Sequence, residues 1–214
     1  MNRSQFLATL LLLGVIGGIA VTQLGGNTET TAAPAASPAE TAEATAPAEA
    51  APVEEVVEVE VEAPPILDPK PALVDLDGWL QTENDSLDDW DGQVRIVEFW
   101  TFGCFNCKNR IPFTQAIYER WQPEGLEIIG IHTPEFEWER DPDVIAQAAI
   151  DLGVPWPIAL DTDKTNFRAW QENRRFWPRV YVLDQNGDVR YDHIGEGDYD
   201  GLEEIVAHLI ENGP

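Results

Sequence analysis

The chain has 214 residues and a formal charge of −26, with 13 basic against 39 acidic side chains. Its length suits one domain with an ordinary core plus segments outside that core. A surface of this sign repels phosphate backbones and anionic lipid, which excludes nucleic-acid binding and leaves solubility, or steering toward a basic partner, as the meaning of the charge.

Arg3 precedes an almost unbroken apolar run from Phe6 to Leu24. Its 19 residues would span roughly 28 Å as a helix, close to a bilayer core. The positive charge lies before the run and an acidic segment after it, so the expected topology puts the N-terminus in the cytoplasm and the rest of the chain outside. The small-x-small candidate Gly18-Ile19-Ala20 sits inside the run, and an uncleaved anchor over residues 1–26 is expected rather than a cleaved signal. Residues 27–65 hold nine acidic residues, spaced prolines and no aromatic residue. Such a segment cannot bury enough to offset its ordering entropy and is expected to be a disordered acidic stalk. Residues 66–214 contain seven of the eight Phe, all eight Trp and both Cys, with 12 basic and 30 acidic residues. They are expected to form one domain.

Within it, Val94 to Trp100 (VRIVEFW) is β-branched and aromatic behind the turn signal Asp91-Gly92 and predicts a buried central strand. Cys104 to Trp121 has helical spacing, with a kink expected at Pro112. Leu126 to His132 (LEIIGIH) predicts a second strand, Asp143 to Leu152 a helix stopped at Gly153, Pro157 to Asp161 a third strand, and Asn166 to Glu172 a helix. Val180 to Asp184 and Val189 to His193 flank Asn186-Gly187, a strong hairpin signal. Asp200 to Ile210 predicts an amphipathic closing helix. The expected class is α/β, a mixed central sheet flanked by helices.

Cys104-Phe105-Asn106-Cys107 places a Cys-x-x-Cys pair between a buried strand and the first turn of a helix. The thiolate is the reactive form, and the unpaired N–H groups and dipole of a helix N-terminus favour it, lowering a thiol pKa from about 8.5. Cys104, the more exposed, is expected to attack a partner disulfide, and Cys107, a turn deeper, to resolve the mixed disulfide. Three other readings stand beside this one. A structural disulfide closing so short a loop constrains little of the unfolded chain. A zinc site needs four ligands, and the three His are widely spaced. A copper site of the thioredoxin-fold chaperones would want Cys-x-x-x-Cys and a His before the penultimate strand, where Phe176-Trp177-Pro178 stands. No metal and no cofactor beyond the redox-active Cys104-Cys107 pair is expected. His132 and Glu135 follow the second strand and are candidates for the rim of the site. Trp100, Trp138 and Trp177 are candidates for an aromatic rim that meets a partner protein.

The chain resembles the TlpA/ResA-like, membrane-anchored thioredoxins of the bacterial cell envelope, and among them the thioredoxin-like domain of DipZ-type proteins. The residues that carry the resemblance are Gly78 to Thr82 (GWLQT), Val97 to Pro112 (VEFWTFGCFNCKNRIP), Gly130 to Phe136 (GIHTPEF), Trp177 to Tyr181 (WPRVY) and His193 to Gly197 (HIGEG). The resemblance implies a thioredoxin-like fold and a thiol-disulfide oxidoreductase of the envelope that reduces protein disulfides, with cytochrome c maturation as its expected setting. It implies a cis peptide bond before Pro178, facing the dithiol, and a client chain meeting the backbone of Trp177. It implies that Glu98 moves the proton of Cys107. Phe105 and Asn106, between the cysteines, are expected to face the substrate and to tune the potential; the Pro of strongly reducing thioredoxins is absent there. The partners implied are client proteins with disulfides and a separate membrane electron donor of the DsbD/CcdA type. In a thiol peroxidase of the same fold the motif is Pro-x-x-x-Thr-x-x-Cys; Thr101 and Cys104 fit its end, but Val97 stands where Pro belongs.

Overall fold

The computed structural model describes residues 62–67 and 72–214. The apolar run from Phe6 to Leu24, with the anchor and most of the stalk expected around it, lies outside the described residues. Among the described residues no helix is long and apolar enough to cross a membrane.

The elements in chain order are β1 (Trp79–Leu80), β2 (Val94–Trp100), α1 (Phe105–Trp121), β3 (Leu126–His132), α2 (Pro142–Leu152), β4 (Ile158–Leu160), α3 (Thr165–Gln171), β5 (Arg179–Leu183), β6 (Val189–Ile194) and α4 (Tyr199–Asn212). They build one six-stranded sheet in the order β1-β4-β3-β2-β5-β6. β2, β3 and β4 run parallel, while β1, β5 and β6 each run antiparallel to the neighbour they pair with. All seven residues of β2 are buried, Arg95 and Glu98 among them, as in a central strand with helices over both faces of the sheet.

Alternation along β2 divides the core in two. Val94, Ile96 and Trp100 share a cluster with Ile111, Ile117 and Trp121 of α1, Ile145 and Ala149 of α2, and Leu202, Val206 and Leu209 of α4. Val97 and Phe99 point the other way, to Ile129, Ile131, Phe167 of α3, Tyr181 and Leu183. The mixed sheet with helices on both faces is therefore as expected.

Register sets the poles of the domain. Trp100 pairs with His132 and Phe99 with Arg179, so the ends of β2 and β3 and the beginning of β5 meet at one pole, which carries the cysteines. At the other pole Arg95 pairs with Leu183 and Leu183 with Val189. There the Leu67 N–H donates to the Val189 carbonyl at 2.8 Å, and Arg190 Nη1 donates to the Pro64 carbonyl. Residues 64–67 thus lie against the outer edge of β6, where a strand would otherwise present unpaired backbone groups.

Several details differ from the expectations. α1 begins at Phe105 because Cys104 is its N-cap, and it continues through Pro112 without a break. Pro112 is exposed, so the carbonyl that the missing N–H leaves unbonded is on the watered side of the helix. β1, and the single 3-10 turns Leu87–Trp90 and Glu137–Glu139, are too short for any hydrophobic period to reveal them. α2 starts one residue early, at Pro142, because Asp141 caps it and proline suits the first helical position.

Candidate active site

The turn Thr101–Gly103 hands the chain from β2 to α1. Cys104 stands at the N-cap with extended backbone angles (φ −72°, ψ 124°), and its Sγ accepts the Cys107 N–H at 3.3 Å. A sulfur occupies the place where Ser or Asp ordinarily satisfies the first free N–H groups of a helix. Both cysteines are free thiols, Cys104 half-buried and Cys107 buried. The hydrogen bond from the Cys107 thiol, aided by the backbone N–H groups of Cys107 and Asn106, pulls the Cys104 thiol down to about 7 against partial burial and the nearby charge of Glu135. The Cys107 thiol is pushed far up, first by burial, then by donating its hydrogen to Cys104 and by the charges of Cys104 and Glu98, against a backbone hydrogen bond with Thr101. One sulfur is therefore a thiolate near neutral pH and the other holds its proton. That asymmetry separates an attacking thiol from a resolving one.

Glu98 lies on the same face of β2 as Trp100, beneath α1, and is 4% exposed. Its Oε2 accepts the Thr114 hydroxyl at 3.4 Å, and its Oε1 is 3.7 Å from Arg110 Nε, with Arg110 fully buried. Burial raises the Glu98 carboxyl, while Arg110 and the Thr114 hydroxyl pull it back. Nothing in the motifs of the sequence marks Arg110 or Thr114. Their spacing from Cys107, three and seven residues along α1, is the signal that would have found them.

Two rim candidates are core residues. Trp100 is 3% exposed, because its place in the alternation turns its ring under α1, where it packs with Cys107 in the same cluster. His132 is 1% exposed. Its ring stacks on Phe102 and meets Trp100 edge-on, each with centroids 5.5 Å away, and its Nε2 is 3.3 Å from the Thr101 hydroxyl. Burial lowers His132 to about 4, so it is neutral and holds the Thr101–Gly103 turn in place. Glu135, by contrast, is exposed, and its charge is felt at Cys104. Phe105 is 72% exposed and Asn106 is exposed beside it.

Behind Cys104 lies a carboxylate that sequence reasoning missed. Glu139 is buried, and its Oε2 accepts the N–H groups of Glu135 at 2.5 Å and Phe136 at 3.1 Å. A Cβ built on Gly103 would come 1.8 Å from Glu139 Oε1 and 3.0 Å from the Trp138 ring, so only glycine admits this approach. Trp138 is exposed, stacks against Phe136 and reaches Phe102 edge-on. Across the site the Trp177-Pro178 bond is cis, and Trp177, half-buried, donates its indole N–H to the Thr133 carbonyl at 3.0 Å. Pro178 immediately precedes β5 and so stands at the cysteine pole. Among the described residues no three His, Cys, Asp or Glu side chains gather as a metal-ligating group.

Known proteins resemble this chain in sequence and in fold. Residues 69–192 match the model of the AhpC/TSA family. Protein DipZ of Mycobacterium tuberculosis is 38% identical over 146 residues, which are 66% of this chain and 21% of DipZ; the chain thus spans about a fifth of the length of the DipZ proteins it matches. Thiol-disulfide oxidoreductase YkuV of Bacillus subtilis is 25% identical over 142 residues, 66% of this chain and 94% of YkuV. Among solved structures, the thioredoxin-like superfamily protein SPOA0173 superposes with a TM-score of 0.61 at 21% identity, over 68% of this chain and 97% of its own. Sharing both its thioredoxin-like fold and most of its domain with these proteins, the chain belongs to the AhpC/TSA family.

Proposed function

We propose that the protein is a thiol-disulfide oxidoreductase that reduces disulfides of client proteins outside the cytoplasm. The observation that carries this reading is the unequal pair at the start of α1: a half-exposed Cys104 thiol lowered to about 7 above a buried, protonated Cys107. The Cys104 thiolate attacks one sulfur of a client disulfide, forming a mixed disulfide and releasing the other client sulfur as thiolate. Cys107 then gives up its proton and attacks Cys104 Sγ, which breaks the mixed disulfide and releases the second client thiolate. The client gains two electrons, and the enzyme is left with a Cys104-Cys107 disulfide. Glu98, buried below α1, is the group to receive the Cys107 proton. Trp177, Pro178, Phe105 and Asn106 form the client-facing side, with Glu135 at its margin.

A membrane anchor over residues 1–26 and a linker over residues 27–65 place the domain from residue 66 onward on the extracytoplasmic side. A separate membrane protein of the DsbD/CcdA type then returns the electrons, and cytochrome c maturation is a fitting destination for them. The charge order around the apolar run supports the topology. No cofactor other than the dithiol enters this scheme.

The peroxidase reading has less support. Val97 stands where the motif has Pro, and Thr101 has its hydroxyl 3.3 Å from the His132 ring and is fully buried. The deciding measurement is the reduction potential of the Cys104-Cys107 pair together with turnover on a protein disulfide. A potential below about −220 mV with disulfide turnover supports the reductase, and a value near −120 mV would make the protein an oxidant instead.

A further inference from the structure

The buried face of α1 sets Cys107, Arg110 and Thr114 in a row at successive turns, and Glu98 of β2 lies under that row. Arg110 is fully buried, which for a guanidinium demands compensation. It finds little of it in hydrogen bonds: Nη1 reaches the Gly197 carbonyl at 3.5 Å, while Nε and Nη2 have no hydrogen-bond partner among the described residues. What surrounds it instead are the faces of Phe113 and Tyr199, 5.9 and 5.5 Å from the guanidinium carbon, and the Glu98 carboxylate 3.7 Å from Nε.

The strands beside Glu98 bring no other charge to it, since its partners across the sheet are Gly130 on β3 and Val180 on β5. From α1 it faces Arg110, Cys107 and the neutral Thr114. Around Arg110 the further titratable groups are Tyr199 of α4 and Tyr191 of β6, whose hydroxyl is hydrogen-bonded to Asp198; burial and Asp198 hold Tyr191 protonated. Glu98 is therefore raised on balance by burial, which favours the acid, while the Arg110 guanidinium and, less strongly, the Thr114 hydroxyl favour the carboxylate.

We infer that Arg110 is a positioning residue of the resolving step: its guanidinium, 3.7 Å from the Glu98 carboxyl, favours the ionised form of that group against burial, so that Glu98 takes the Cys107 proton as the mixed disulfide is broken. This rests on the dithiol reading above. The proton passes from Cys107 Sγ to Glu98, the new bond is Cys107 Sγ–Cys104 Sγ, and the bond that breaks joins Cys104 Sγ to the client sulfur, which leaves as thiolate with the electron pair. Arg110 exchanges no proton itself; it sets the pH at which the acceptor is available.

The test uses the full chain, reduced, and rapid mixing with an aryl disulfide whose thiolate is coloured. Attack by Cys104 releases one aryl thiolate and resolution by Cys107 releases the second, so the two steps are read in one trace. In Arg110→Met the first release should keep its rate and its midpoint near neutral pH. The second should have its midpoint moved up by about one pH unit or more, and so be slowed about tenfold at pH values below the native midpoint, the tenfold step that one pKa unit represents. Arg110→Lys, which restores the charge, should bring the midpoint back toward that of the native protein. If Arg110→Met does not fold, the comparison of Arg110→Lys with Glu98→Gln carries the test, because loss of the acceptor should remove the low-pH limb of the second release and loss of guanidinium geometry alone should only shift it. A second release with unchanged pH dependence in the Arg110 variants would overturn the inference, as would an equal disturbance of both releases, which marks a structural role. Absence of any second release in the native protein would instead overturn the dithiol reading.

Discussion

Trp177 donates its indole N–H to the Thr133 carbonyl at 3.0 Å while its ring lies stacked on Phe167, centroids 4.2 Å apart. The loop before β5 is thereby fastened to the end of β3. Trp177→Phe keeps the stack but leaves the Thr133 carbonyl without this donor, an expected loss of about 1–2 kcal/mol in urea unfolding. Turnover on a protein disulfide should fall several-fold more than turnover on a small disulfide, because only the larger client lies along this loop. Equal losses on both substrates would remove Trp177 from the client-facing side.

Cys104→Ser should abolish disulfide reduction, and Cys107→Ser should accumulate mixed disulfides with clients, since only the deeper sulfur releases them. The sign for pH follows from the lowered thiol: above about 7 Cys104 is mostly thiolate, and its alkylation rate should fall about tenfold per unit as pH drops below that value. The folded protein prefers the thiolate, so this group's share of the stability of the reduced form is present above the unfolded thiol pKa and is lost as pH falls through about 7. Alkylation followed by mass, from pH 5 to 9, checks it.

His132 titrates at about 4 when folded and near 6.5 when unfolded. The unfolded chain therefore binds the extra proton first as pH falls, and the stability tied to a neutral His132 is full above pH 6.5 and drains between there and about 4. The whole change is on the order of 3 kcal/mol. His132→Gln, which cannot charge, should be less stable at neutral pH for loss of the stacked ring, yet its urea midpoint should fall less than that of the native protein across this window. Parallel curves for the two proteins would place the acid sensitivity elsewhere.

Gly103→Ala would thrust a methyl group to 1.8 Å from Glu139 Oε1. Glu139 cannot simply turn away, because its other oxygen caps the N–H groups of Glu135 and Phe136. A cost of about 1–3 kcal/mol is expected, as for other overpacked sites, read by thermal unfolding. The Cys104 thiol should also titrate differently, since the turn that positions it is pushed outward.

A fragment of residues 62–214 should fold and reduce model disulfides, as its core and site are complete within that span. A fragment of residues 72–214 loses the Leu67–Val189 and Pro64–Arg190 hydrogen bonds. It should be about 1–2 kcal/mol less stable and more prone to pair through the bared edge of β6, with turnover at the distant thiols unchanged. Light scattering and urea midpoints distinguish the two fragments.

How much of this was legible in the sequence differs from residue to residue. Val94 to Trp100 could be read because seven successive apolar or enclosed positions have few alternatives to a central strand, and the Cys-x-x-Cys pair followed from what a helix N-terminus does to a thiol. The fate of His132 was not legible: a histidine at a strand end looks the same whether it meets solvent or, as here, is roofed by Phe102 from the next turn. Trp100 was misplaced for a related reason, since strand alternation gives two faces but does not say that α1 covers this one. Arg110 escaped notice because a basic side chain on a helix ordinarily faces water, and only its spacing from Cys107 distinguishes it.

Residues 64–67 lie along β6 beside Val189 and Arg190, at the end of the strands farthest from Cys104. The domain is thus gripped from behind, like a tool by its handle. A tether joined directly at Glu62 therefore meets the domain at the pole opposite the sulfurs. Coupling the fragment of residues 62–214 to an electrode through its N-terminus should accordingly leave more of the thiols open to the analyte than random coupling through surface lysines does.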